Sequence, residues 1–212
     1  MSESSRDLPQ IRKAEIIDAC ARLYESKPFK EITLRDIGAQ TSFTRTSIYN
    51  YFRTKEEIFL ALLQREYELW TADLQTLAES GRALSADIFA VRFAQTVEKR
   101  RCLLKLLSMN IYDMEDGSRI ENLIEFKAAY KRSLEALDRA LAVSFPVMTS
   151  EARNEFIYTV FPFLFGVYPY TTATEKQIKA MERAGIDYPR LTIVETVARL
   201  AIRLLPSENK EP

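Results

Sequence analysis

The stretch TLRDIGAQTSFTRTSIYNYFRTKEEI, residues 33–58, decides the fold, because it starts helices three times in quick succession. Thr33 stands three residues before Asp36. That is the spacing of a capping box, in which the hydroxyl takes the amide of the third helical residue and the carboxylate takes the amide of the cap. Thr41-Ser42-Phe43 then interrupts, too briefly for anything but a tight turn. A second short helix is expected from Thr44, with its hydroxyl as cap, to about Phe52. Thr54 and Glu57 repeat the box spacing and open a longer helix. Two short helices joined by a tight turn, the second with polar groups at its start, form a helix-turn-helix.

The chemistry of the stretch fits that reading. B-DNA's major groove is about 12 Å wide and admits one α-helix. Phe43, Ile48 and Phe52 can pack inward against Ile37 and a preceding helix, which leaves Arg45, Thr46, Ser47, Tyr49, Asn50 and Tyr51 on the other faces. Helix N-termini attract phosphate through unpaired amides and the helix dipole. This suits Thr33, Thr44 and the start of the long helix, where Lys55 adds a charge. Arg45, Arg53 and Lys55 have no acid between Ser42 and Lys55. A solvated basic face accounts for the same three cations, so the residues alone leave both readings open.

Outward from this stretch the sequence is helical throughout. A first helix is expected from about Ile11 to Glu25, with Ile16, Ile17, Cys20, Leu23 and Tyr24 on one face, stopped by Pro28. The long helix after Thr54 reaches about Glu79 and carries Phe59, Leu62, Leu63, Tyr67, Trp70, Leu74 and Leu77, with Gly81 placed to end it. Further helices are expected over Ser85–Arg100, Leu103–Asp113, a long one capped by Ser118 and Glu121, Glu151–Tyr168, Thr174–Ala184 and Leu191–Leu205. In the long one, Leu123, Phe126, Tyr130, Leu134, Leu137 and Leu141 form a packing seam. No segment alternates long enough to argue a strand. The expected class is therefore all-α, with about nine or ten helices. Residues 1–54 form a three-helix helix-turn-helix domain of homeodomain-like kind, 55–80 a connecting helix, and 81–212 a second helical domain.

The totals restrict function. The chain has 212 residues, 30 basic and 30 acidic, with almost half its residues apolar and only five glycines. There is no histidine. Histidine-based triads and HExxH zinc sites are excluded, and neither a phosphate-binding glycine loop nor a GxSxG elbow is present. No metal site, cofactor or catalytic group is expected. Cys20 and Cys102 form no CxxC pair; they fit a reduced cytoplasmic protein and leave a single disulfide open. MSESSRDLPQ lacks the apolar core of a signal peptide. The charge-free run between Glu155 and Glu175 is interrupted by Pro162, Gly166 and Pro169, so it reads as a buried helix and not a membrane span.

Residues 12–62 resemble the DNA-binding domain of the TetR family of bacterial transcriptional regulators. The resemblance rests on Ile37-Gly38, Thr44, Ile48-Tyr49, Tyr51-Phe52 and Lys55-Glu56, in the order of that family's pattern. It departs at Ser42, where the family usually has glycine, at Gly38, which replaces alanine, and at Lys27-Pro28, where the first helix usually ends in glycine. By this resemblance Arg45, Thr46, Ser47 and Asn50 face base edges, and Thr33, Thr44, Tyr49, Tyr51 and Lys55 meet phosphates of double-stranded DNA. Arg45 is the candidate for direct readout, since a guanidinium can hold guanine O6 and N7 together.

The resemblance also implies a small-molecule effector inside the second domain and a homodimer made by the last two long helices. Asn110, Tyr112, Phe126, Tyr130, Tyr158, Phe161 and Phe165 are the candidates to line a ligand pocket. Phe156, Val160, Leu164, Val194, Val197, Ala198, Ala201 and Leu205 are the candidates for the dimer seam. A helix without charge on any side must be covered on every side, which supports pairing independently. The implied function is a repressor that binds a palindromic operator and is released by its ligand. An all-helical protein–protein adaptor with a non-functional helix-turn-helix is the alternative.

Overall fold

The structure is a computed structural model. It describes the backbone of residues 3–79, 84–109 and 111–206, and the side chains of these except 3–7 and Arg45. Eleven α-helices and one short 3-10 turn account for its regular structure, in the order α1 (Glu3–Ser26), the 3-10 turn Phe29–Glu31, α2 (Leu34–Gly38), α3 (Arg45–Ile48), α4 (Lys55–Glu79), α5 (Ala86–Lys99), α6 (Arg101–Leu107), α7 (Ile111–Asp116), α8 (Ile120–Ser144), α9 (Ser150–Thr171), α10 (Glu175–Arg183) and α11 (Ile193–Leu204). No described residue lies in a strand. No described helix is long and apolar enough to cross a membrane, and no disulfide links Cys20 and Cys102.

Several helix boundaries differ from expectation for identifiable reasons. The helical backbone of α1 begins eight residues earlier than Ile11 and passes through Pro9. Pro9 is the seventh residue of that helix; its φ is compatible with helical backbone, but it has no amide to give to the Ser5 carbonyl. The expected helix Leu103–Asp113 is two helices. Ser108 gives its hydroxyl to the Lys105 carbonyl at 2.7 Å, and the Met109 amide bonds Leu106 at 3.1 Å; such tight i→i+3 closures end a helix. Ser118 does not cap α8; its hydroxyl donates to the Met114 carbonyl at 2.7 Å and closes α7 instead. Helix α9 runs on through Pro162 and Pro169 to Thr171. Gly81 lies outside the described residues.

By internal contact the chain divides into two compact units: residues 1–66 with 110–129, and residues 67–109 with 130–212. In the first, Ile16, Cys20, Tyr24, Ile37, Ile48, Ile58, Phe59, Leu62, Leu63, Met114 and Phe126 are buried. Phe59 anchors it, with Tyr24 and Phe29 edge-on at 5.2 and 4.7 Å between centroids. In the second, Trp70 contacts Phe93 and Phe161, and Phe89 contacts Phe145 and Phe156. There α11 packs on α5 and α9, and α6 packs on α9. Along α8 the buried positions include Ser133, Ala136 and Ala140 beside Leu137 and Leu141, whereas Leu134 is only half-buried. Small residues thus share the seam that larger apolar ones were expected to fill.

Candidate nucleic-acid interface

Within the first unit, α2, the turn and α3 form the expected helix-turn-helix. The capping box at α2 is complete: Asp36 N donates to Thr33 Oγ1 at 3.2 Å, and Thr33 N donates to Asp36 Oδ2 at 2.9 Å. The Thr33 hydroxyl donates to the same carboxylate at 2.6 Å. Those bonds, side chain first, hold Asp36 below the usual carboxylate range. The hydroxyl proton of Thr33, placed here as a phosphate donor, is therefore committed to Asp36.

The turn without its glycine is held by α1. Every non-glycine residue described has negative φ, so Ser42 adopts ordinary backbone and the turn adjusts around it. Glu15 accepts from the Ser42 amide, and from its hydroxyl at 3.0 Å. Arg22 donates to the Gln40 carbonyl at 3.3 Å. Arg12 lies 5.4 Å above the half-buried Phe43 ring, a cation–π contact. Three polar side chains of α1 thereby set the angle at which α3 leaves the turn.

The second helix of the motif, α3, is shorter than expected, four residues from Arg45 to Ile48. The chain stays wound as far as Phe52, since the Asn50 and Tyr51 amides bond Ser47 and Ile48, and Phe52 bonds Ile48. Thr44 sits at the cap with extended backbone, but its hydroxyl pairs with the Ser47 hydroxyl at 3.0 Å and takes no amide. Ile48 and Phe52 are buried as the spacing implies. Thr44, Thr46, Tyr49 and Asn50 are exposed together, with Ser47 and Tyr51 half-buried beside them. Arg45 lies in α3, and its side chain is outside those described. Lys55 is half-buried; its ammonium donates to the Phe29 carbonyl at 3.0 Å and lies 4.0 Å above the Phe29 ring.

Only half of the second box forms. Glu57 N donates to Thr54 Oγ1 at 3.1 Å, but the Glu57 carboxylate turns to Arg53 N at 2.7 Å and to the Arg119 guanidinium. Glu57 is 1% exposed. Burial pushes its carboxyl up, and the Arg119 guanidinium with the Arg53 and Arg119 amides more than offsets this, leaving it below the usual glutamate range. A depressed carboxylate stabilises the fold fully above its unfolded value, about 4.3, and loses that contribution as pH falls through the lower folded value. The melting-temperature advantage of the wild type over Glu57→Gln should therefore be full at neutral pH and shrink below about pH 4. An advantage independent of pH in thermal melts would contradict the buried ion pair.

The other predicted sites are placed differently. Tyr112 and Phe126 belong to the first unit, Tyr112 exposed and Phe126 buried. Asn110 lies outside the described residues. In the second unit Tyr130 and Phe161 meet edge-on at 5.5 Å, beside Tyr67 and Trp70, whereas Tyr158 and Phe165 face outward. Burial, and secondarily Tyr158, raises the Tyr130 phenol. Of the side chains expected at the dimer seam, Phe156, Val160, Leu164, Val197, Ala198, Ala201 and Leu205 are buried within this chain, and Val194 is half-buried. These side chains are buried among helices of the same chain. On α9 the opposite face carries Tyr158, Pro162, Phe165 and Pro169, all exposed and spaced as one stripe.

Comparison with known proteins decides the family. The family model described as "Bacterial regulatory proteins, tetR family" matches residues 16–62, and that described as "Tetracyclin repressor-like, C-terminal domain" matches residues 64–205. The chain belongs to the TetR family. The two matched models together span most of the chain, and the first is described as that of bacterial regulatory proteins. The transcriptional regulator EthR of Mycobacterium tuberculosis (strain ATCC 25618 / H37Rv) is 33% identical over 69 residues, 32% of this chain and 32% of EthR. YfiR of Bacillus subtilis (strain 168) is 32% identical over 53 residues, 25% of this chain and 26% of YfiR. The chain thus matches about a third or less of the length of these relatives. Solved structures share the fold over nearly the whole chain. FadR of Bacillus halodurans, a fatty acid degradation regulator, has a TM-score of 0.59 at 14% identity, covering 93% of this chain and 96% of its own. The TetR family regulator PfmR of Thermus thermophilus has a TM-score of 0.57 at 16% identity, covering 91% of this chain and 99% of its own.

Sequence reasoning missed Arg12, Glu15 and Arg119 as residues that hold the helix-turn-helix. Arg12 and Glu15 carry a signal in retrospect: they lie a helical turn apart on α1, opposite a turn that lacks its glycine. Arg119 has none, since it meets Glu57 across 62 residues.

Proposed function

We propose that this chain is a repressor that binds a palindromic operator as a homodimer in the cytoplasm and leaves it when a small molecule binds. The observation that carries the reading is the exposed row Thr46, Tyr49 and Asn50 on a segment whose opposite side, Ile48 and Phe52, is buried. This segment has the length and exposure a major-groove reader needs. Arg45 leads it and, with Thr46, Ser47 and Asn50, reads base edges. Thr44, Tyr49, Tyr51 and Lys55 meet phosphates; the lysine keeps ammonium protons beyond the one given to Phe29. Thr33 contributes through its position at the α2 start.

Dimerisation is assigned to the exposed α9 stripe Tyr158, Pro162, Phe165 and Pro169, with Ile202 of α11 also exposed. A two-fold dimer presents two reading helices about 34–36 Å apart, one turn of DNA. The effector is assigned to the aromatic group Tyr67, Trp70, Tyr130 and Phe161, where burial raises the Tyr67 phenol and keeps it protonated. A ligand there would act by favouring one arrangement of the dimer over the other.

The test uses a duplex selected by the protein from a random pool, with a scrambled duplex as control. Arg45→Ala is expected to lose about 1–3 kcal/mol on the selected duplex and little on the scrambled one. Lys55→Ala is expected to weaken both alike and to lower the salt slope by about 1. Equal losses on both duplexes for Arg45→Ala would refute its readout role.

A further inference from the structure

The trailing end of the reading segment is fastened by a residue far away in sequence. Arg119 stands just before α8, and its guanidinium donates from Nε to Glu57 Oε1 at 2.6 Å and from a terminal nitrogen to Glu57 Oε2 at 3.0 Å. The same terminal nitrogen reaches the Tyr51 carbonyl at 3.2 Å. The Arg119 amide adds a bond to Glu57 at 3.3 Å. One turn away, the Thr54 hydroxyl donates to the Gly117 carbonyl at 3.0 Å. Gly117 is pressed so closely on α4 that an added Cβ would lie 2.8 Å from Glu56 Cγ. All these groups lie in the compact unit that holds the helix-turn-helix.

We propose that Arg119 is a positioning residue for DNA reading: seated on the buried Glu57 carboxylate, it holds the Tyr51 carbonyl and so fixes the angle at which Tyr49, Asn50 and Tyr51 leave α3. Three physical points support it. A carboxylate 1% exposed is retained only if it is paired and hydrogen-bonded. The planar fork of arginine uses one edge on Glu57 and keeps a proton for Tyr51, which a lysine cannot reproduce. The segment it holds is too short to fix its own direction, since α3 proper has four residues. Helix α1 sets the leading turn through Glu15 and Ser42; Arg119 sets the other end.

The inference rests on the DNA-reading role above, and the test separates the two. Arg119→Ala, Arg119→Lys and Glu57→Gln are titrated against the selected and scrambled duplexes at several salt concentrations, with a thermal melt of each. The expected result is a loss of about tenfold on the selected duplex, the size of one lost base contact, with little change on the scrambled one and an unchanged salt slope. Arg119→Lys should behave like Arg119→Ala. If Arg119→Ala does not fold, Arg119→Lys and Glu57→Gln carry the reading. Equal losses on both duplexes with a slope lower by about one would make Arg119 a phosphate contact and overturn the proposal. A lower melting temperature with unchanged discrimination, or full discrimination retained by Arg119→Lys, would overturn it as well. A wild type with no preference between the duplexes removes the reading role itself, and the proposal with it.

Discussion

Phe165→Glu is expected to convert the protein to monomers at micromolar concentration and to lower its affinity for the operator by about a hundredfold or more. Phe165 is 38% exposed in the single chain, midway along the α9 stripe that includes Tyr158, Pro162 and Pro169. An exposed apolar stripe of this kind marks a protein interface, and a two-fold axis would set one copy of Phe165 near the other. Two carboxylates there would be desolvated and would repel each other. The second reading helix would then have to bind from solution. Sedimentation gives the mass, and anisotropy with labelled operator gives the affinity. A Phe165→Glu protein that remains dimeric would place the seam elsewhere. One that is monomeric yet binds operator unchanged would remove the dimer from the account.

Trp70→Ala is expected to cost about 3–5 kcal/mol of stability. Trp70 is fully buried in the second unit, between Phe93 and Phe161, and its indole N–H donates to Thr96 Oγ1 at 3.0 Å. Its removal forfeits the largest buried side chain and leaves a void whose aromatic neighbours cannot all close. Against a domain stability of about 5–15 kcal/mol, that loss is severe. Thr96 keeps a partner, since its hydroxyl donates to the Phe93 carbonyl at 2.7 Å, so the void should dominate the penalty. Urea unfolding followed by circular dichroism checks it. A shift under about 1 kcal/mol would mean that the neighbours collapse around the site.

What the sequence disclosed, and what it withheld, follows from the range of each interaction. Local signals were legible. The capping box of Thr33 and Asp36, the helix starts at Ser85 and Thr174, and the apolar face of α4 from Phe59 to Leu77 depend on residues within a turn or two. Competition between neighbours was less so. Thr54 and Glu57 have box spacing, yet Arg119 draws the carboxylate away, and Ser118 closes one helix instead of opening the next. The direction of an apolar face was least legible. Phe156, Val160 and Leu164 have the composition of a seam, but all three are buried within the single chain, Phe156 against Phe89 and Phe93 of α5. A charge-free helix shows that two faces are covered; it does not show which face meets which neighbour. Among the candidate ligand residues of the second unit, Tyr158 and Phe165 point outward while Tyr130 and Phe161 point in.

The central claim is that the segment from Thr44 to Phe52 reads a duplex. Selection of oligonucleotides from a random pool by the purified chain tests it most directly. The expected product is an inverted repeat with half-site centres one helical turn, about 10–10.5 base pairs, or a multiple apart, bound more weakly as salt rises. A pool that emerges without enrichment, or a complex indifferent to salt, would contradict it.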